Sequence, residues 1–134
     1  MRRNWGFAVS MVYPIMKAIR DKGLDFDQFC RQACFDSRLL QDVEARIDDE
    51  DMERVMKEAA QFTRDDHFGL HKGRLTDVAD LGVLGYILMH SATIADALGA
   101  YRRYHIILCS GSNLDWEERG NTVRLRFFRQ NGGE

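Results

Sequence analysis

The feature that most constrains this fold is a change of hydrophobic period near Gly111. Before it, apolar residues recur every three or four positions, as on amphipathic helices; after it they alternate, as on half-buried strands. Val12, Ile15, Met16 and Ile19 make one helical stripe, and Met52, Val55, Met56, Ala59, Ala60 and Phe62 make another. Leu114 and Trp116 alternate instead with Asp115 and Glu117, and Val123, Leu125 and Phe127 with Arg124 and Arg126. Arg119-Gly120-Asn121 supplies a turn between the two runs, so this end reads as a β-hairpin with one buried and one charged face. The expected fold is α+β: mostly helical, with about six helices, followed by an antiparallel hairpin. Two strands are marginal alone. The hairpin is therefore expected to belong to a larger sheet continued beyond Glu134, or to have its edge covered by a partner.

Local signals place the helices. Pro14 is tolerated only in a first turn, so the first helix should begin near Val12 or Tyr13, with Gly23 as its stop. Asp25 and Gln28 are spaced as a capping box, followed by an apolar face of Phe26, Phe29, Cys30, Ala33 and Cys34. Asp36 can cap a turn through Ser37 to Leu40. Asp48, Asp49, Glu50 and Asp51 crowd the start of the third helix, where the helix dipole favours negative charge. Leu81 to His90 is apolar nearly all round and predicts a buried helix. Thr93 and Asp96 open another, with Ile94, Ala97, Leu98, Tyr101, His105 and Leu108 on its inner face.

The chain has 134 residues, 45% hydrophobic and 30% charged, which suits one domain with a real core and argues against disorder. Its net charge is −2, from 19 basic and 21 acidic residues, and no Lys/Arg cluster marks a phosphate-binding face. Arg2 and Arg3 form only a two-residue basic tip. The N-terminus lacks a sustained apolar run for a signal peptide, and Leu81 to Met89 is far short of the roughly 20 residues a bilayer requires. Cys30, Cys34 and Cys109 have no disulfide-framework spacing, so a cytoplasmic protein with reduced thiols is expected.

No residue constellation supports an enzyme. Ser110 lies in CSGS, without the G-x-S-x-G elbow, and LGVLG lacks the phosphate-cradling G-x-G-x-x-G. Cys30 and Cys34, at i and i+4, could face one metal ion, but no second pair completes a zinc site. Both are expected to be buried, since free cysteine packs as a small hydrophobe. No cofactor and no metal are expected.

The order of segments resembles the N-terminal effector-binding (arabinose-binding-type) domain of AraC/XylS-type bacterial transcription regulators. The resemblance rests on KGLDFDQFCRQACFDSRLLQDVEARID, DDHFGLHKG and LGVLGYILMHSATIADALGAYRRYHIILCSGSNLDWEERGNTVRLRF, and runs from about Phe7 to Phe128. Its motifs are patterns of core and turn positions, specific through their order and spacing. It implies a single effector-sensing domain over residues 1–134, a small-molecule effector and a homodimer; the apolar setting of the candidate residues below suits an effector of apolar or amphipathic character. It also implies that DNA is bound only through a C-terminal helix-turn-helix domain not present here. A dimerisation or protein-interaction module without a ligand is the alternative. His67 and His71 could be drawn as metal ligands with Asp65 and Asp66, but the resemblance makes HFGLHKG a short helix capped by Asp66. That helix ends at Gly73, with Phe68 and Leu70 packed inward.

Polar-tipped aromatics gather in the second half. Tyr86, His90, Tyr101, Tyr104 and His105 fall on or near the expected inner faces of two helices, and Trp116 lies on the hairpin. Ligand pockets are mostly apolar with a few placed polar groups, and these six residues could supply them. The same residues could equally be core aromatics whose polar tips reach backbone carbonyls. Gly82 and Gly85 are expected to leave space beside the helix that carries them.

Overall fold

A computed structural model describes residues 6–129; the Arg2-Arg3 tip and the Asn131–Glu134 end lie outside the described residues. Six α-helices and two small antiparallel sheets are found there. A two-residue strand β1 (Phe7–Ala8) leads through a 3-10 turn (Val9–Val12) into α1 (Tyr13–Asp21) and then α2 (Phe26–Gln32). A second 3-10 turn (Ser37–Gln41) precedes β2 (Arg46–Ile47), which pairs with β1, and α3 (Asp49–Thr63). Then come α4 (Phe68–Leu75), a 3-10 turn (Val78–Leu81), α5 (Gly82–Met89) and α6 (Ile94–Tyr104). A last 3-10 turn (His105–Ile107) leads to the hairpin of β3 (Ser112–Arg119) and β4 (Thr122–Arg129). The α+β class with a C-terminal hairpin is as the periodicity indicates.

Most of the helix starts follow the expected chemistry. Pro14 sits in the first turn of α1, where its missing N–H costs nothing. Asp25 accepts from the amides of Asp27 and Gln28, Asp36 from that of Arg38, Asp48 from that of Asp51 and Thr93 from that of Asp96. The core joins the stripes of α1, α2 and α3. Ile15, Ile19, Phe29, Val55 and Ala59 are fully buried there, with Phe26, Met52 and Phe68 closing around them. Phe29 packs between Phe26 and Phe62 at ring-centroid distances of 5.9 and 5.5 Å.

Four expectations need correction. Cys34 is exposed, because α2 ends at Gln32 and the backbone turns left-handed at Cys34 (φ 53°), which ends the stripe that keeps Cys30 buried. The α4 helix is not capped by Asp66: the Asp65 carboxylate accepts from the His67 amide instead, and the helix runs past Gly73 to Leu75. Its Phe68 is buried but Leu70, two positions on, points to solvent, as helical rather than alternating geometry requires.

The third correction concerns α5. It is a helix, but only Leu84 and Gly85 are buried, while Val83, Tyr86 and Met89 are exposed. Gly85 leaves no room either: a Cβ there would lie 2.2 Å from the carbonyl oxygen of Val78, so the preceding turn already fills that side. The last is Ile94, expected on the inner face of α6 and found 80% exposed.

In the hairpin, Leu114 faces Phe127 and Trp116 faces Leu125, while Asp115 faces Arg126 and Glu117 faces Arg124. The alternation of apolar and charged side chains is thus as expected, though not the burial of the apolar face on β4, and Gly120 (φ 57°) takes the left-handed position of the turn. Leu114 is buried and Trp116 half-buried against α6, yet Val123, Leu125 and Phe127 on β4 are exposed. The apolar face of β4 is only laid out, not covered, within the described residues.

Candidate functional site

Three of the six aromatic and imidazole groups lie where α6, its following turn and the hairpin come together, Tyr101 near His105 and Trp116 against Arg102. Tyr101 is half-buried; its ring meets Phe127 edge-on at 6.3 Å and lies 6.5 Å from the His105 ring. Burial first, then the nearby Cys109, pushes its hydroxyl pKa up to about 12. His105 is buried, with Nδ1 3.0 Å from the Arg102 carbonyl oxygen, which accepts its proton. Trp116 lies beneath the Arg102 guanidinium, 4.5 Å from the ring centroid.

A chain of charges runs along this edge. Asp115 receives Arg102 and Arg126, each at 3.3 Å. The Trp116 amide, and then Arg126, hold the Asp115 carboxyl below the usual carboxylate range. The guanidinium over Trp116 is thereby fixed from α6 to both strands.

The other three groups face outward. Tyr86 and His90 stack on each other at 4.1 Å on the exposed side of α5, where His90 Nδ1 lies 2.8 Å from the Tyr86 carbonyl oxygen. Tyr104 is exposed, with the Arg103 guanidinium 5.9 Å from its ring. The grouping is therefore an inner set of Tyr101, His105 and Trp116 and an outer set of Tyr86, His90 and Tyr104.

A concave feature elsewhere in the fold has no counterpart in the sequence. A cleft of about 1220 Å³ lies between the segments Ala8–Tyr13 and Leu39–Arg46 on one side and Leu81–Val83 and Ile106–Leu108 on the other. Arg46 reaches across its base: Nη1 donates to the Ile107 carbonyl at 2.7 Å, and Nη2 to those of Gly6 and Ile106 at 2.9 and 3.1 Å. Four segments far apart in sequence form it, so no local spacing could have announced it.

One other feature is smaller. His71 closes on Asp65, Nδ1 to Oδ2 2.6 Å, with Lys22 at 3.7 Å, at the edge of a cleft of about 340 Å³ between α1 and α4. Among the described residues no cluster of three or more His, Cys, Asp or Glu is arranged to hold a metal ion. No described helix is long and apolar enough to cross a membrane.

Comparison with known families gives a match over most of the chain. The model for the arabinose-binding domain of AraC transcription regulators, an N-terminal domain, covers residues 23–133. No curated protein matches the chain. With helices α2 to α6 and the hairpin all inside the matched stretch, the chain belongs to the family of N-terminal arabinose-binding domains of AraC transcription regulators.

Proposed function

We propose that this domain senses a small-molecule effector and passes binding on to a DNA-binding helix-turn-helix domain outside this chain. The observation that carries the reading is the family match, in which the ligand-sensing regulatory domain is the N-terminal one. The inner set is where an effector would act. Tyr101 and His105 would orient a polar group, Trp116 and Phe127 would flank an apolar body, and the outer set of Tyr86, His90 and Tyr104 would line its approach. A ligand shifts such a regulator only if it binds one arrangement of the domain better than the other. The α6–hairpin contact is suited to that role, because a ligand between them would change how β4 is presented.

The working form is a homodimer in the bacterial cytoplasm, acting in transcription and not as an enzyme. A ligand-free dimerisation or interaction module is the second reading, favoured by the exposed Val83, Tyr86 and Met89 on α5 and Leu125 and Phe127 on β4. A thermal-shift screen of metabolites on the full-length regulator separates the two. An effector that stabilises the wild type, and binds at least roughly tenfold more weakly to folded Tyr101→Phe or His105→Ala, supports sensing at the inner set. An effector that binds both variants as it binds the wild type places the site elsewhere. A dimer that no metabolite stabilises favours the second reading. Residues 1–134 alone should show no sequence-specific DNA binding in a low-salt mobility-shift titration, given their net charge of −2.

A further inference from the structure

We propose that the Arg46 cleft is a ligand site of its own, for a small amphiphile with an apolar body and an amine, independent of the inner-set reading above. Four exposed aliphatic side chains converge on this concavity: Val43, Val83, Ile106 and Ile107. Leu39, Leu81 and Leu108 complete its apolar lining. Scattered exposed aliphatics are ordinary on a protein surface, but a cluster lining one cleft presents apolar area that a ligand can take from water. The cleft is open, and somewhat larger than the roughly 300–1,000 Å³ typical of small-molecule sites, which suits an elongated body lying along it.

The polar lining sets the charge of the ligand. Asp42 and Glu44 line the cleft and are exposed. The cation of the cleft is Arg46, and both of its terminal nitrogens donate to backbone carbonyl oxygens. A carboxylate ligand would have to displace those bonds, and would meet Asp42 and Glu44 as like charges. The N-terminal end of α5 at Gly82 and Val83 adds a positive partial charge of only about half a unit. Arg46 and that half unit together fall short of the two carboxylate charges, so the lining is left slightly negative and an ammonium is the head group it favours. The cleft joins the α1–α3 core to α5 and the turn before the hairpin, and a ligand there would bear on the Arg46 clasp between them.

The test is calorimetric titration of residues 1–134 with octylammonium, octanoate and octan-1-ol at neutral pH and low salt. Octylammonium should bind roughly tenfold more tightly than octanoate. Glu44→Gln should weaken octylammonium roughly threefold or more and leave octan-1-ol unchanged. Val83→Trp and Val43→Trp, which fill the cleft from positions that solvent already reaches, should each weaken all three ligands while the protein stays folded. Absence of octylammonium binding, octanoate binding as tightly, or wild-type binding by the folded tryptophan variants would each overturn the proposal. Should one tryptophan variant misfold, the other decides.

Discussion

Lys17 on α1 and Asp80 in the turn before α5 form an ion pair, Nζ to Oδ2 2.7 Å, in which the carboxylate is buried and the ammonium partly exposed. The same Oδ2 accepts from the Asp77 amide at 2.8 Å, within a reciprocal capping box. Asp80 thus ties the start of the second half to α1 through Lys17 and closes its own turn through the Asp77 amide. Asp80→Ala should cost about 2–3 kcal/mol in denaturant unfolding, since it removes both bonds and strands the Asp77 amide. Lys17→Met should cost less, about 1 kcal/mol, because the cap persists and the lysine is partly solvated. The reverse order would show that the ion pair rather than the cap holds the turn.

Gly85 offers a sharper test of packing. Its missing Cβ is occupied by the Val78 carbonyl, so Gly85→Ala should destabilise by about 1–3 kcal/mol, although alanine is the better helix former. Gly99 on α6 has open space at the corresponding position, and Gly99→Ala should be neutral or slightly stabilising. Thermal midpoints of the two variants, compared with the wild type, decide the matter.

The Asp65–His71 contact predicts a pH dependence. The hydrogen bond from His71, opposed by desolvation and helped by the His67 amide, holds the Asp65 carboxyl below its usual range. A carboxylate lowered on folding contributes stability that is complete above its unfolded value of about 4, and that is lost as pH falls through the lower folded value. Wild-type stability should therefore fall on acidification below about pH 4, and Asp65→Asn should flatten that part of the curve. Thermal melts from neutral pH to pH 3 give the comparison, and an unchanged acid limb in Asp65→Asn would remove Asp65 from the account.

Thiol chemistry should separate the cysteines. Cys34 is exposed, whereas Cys30 and Cys109 are buried. Burial, and then the nearby Asp27, push the Cys30 thiol up to about 11, which suppresses its thiolate. A chromogenic disulfide reagent should label Cys34 quickly in the native protein and the other two only on unfolding. Fast labelling that survives Cys34→Ser would contradict the end of α2 as described.

The sequence by itself determined much of the local structure, though not the cap of α4 or the end of α2. The four-residue recurrences around Val55 and Ile15, the caps at Asp25, Asp36 and Thr93, and the alternation from Leu114 to Phe127 each depend on neighbours within a few residues. Periodicity and capping act over that range, so they can be read without the fold. Burial of a face cannot, because hydrophobicity says which side prefers cover and not whether cover exists. That is why α5 was expected inside and carries Tyr86 and Met89 in solvent, and why Cys34 fell off its stripe where the helix stopped two residues earlier. Only the tertiary structure split the six candidate groups into an inner and an outer set. Only it brought Arg46 across to the carbonyls of Ile106 and Ile107, some sixty residues away. Contacts at such separation arise from how the helices pack together, and no local spacing encodes them.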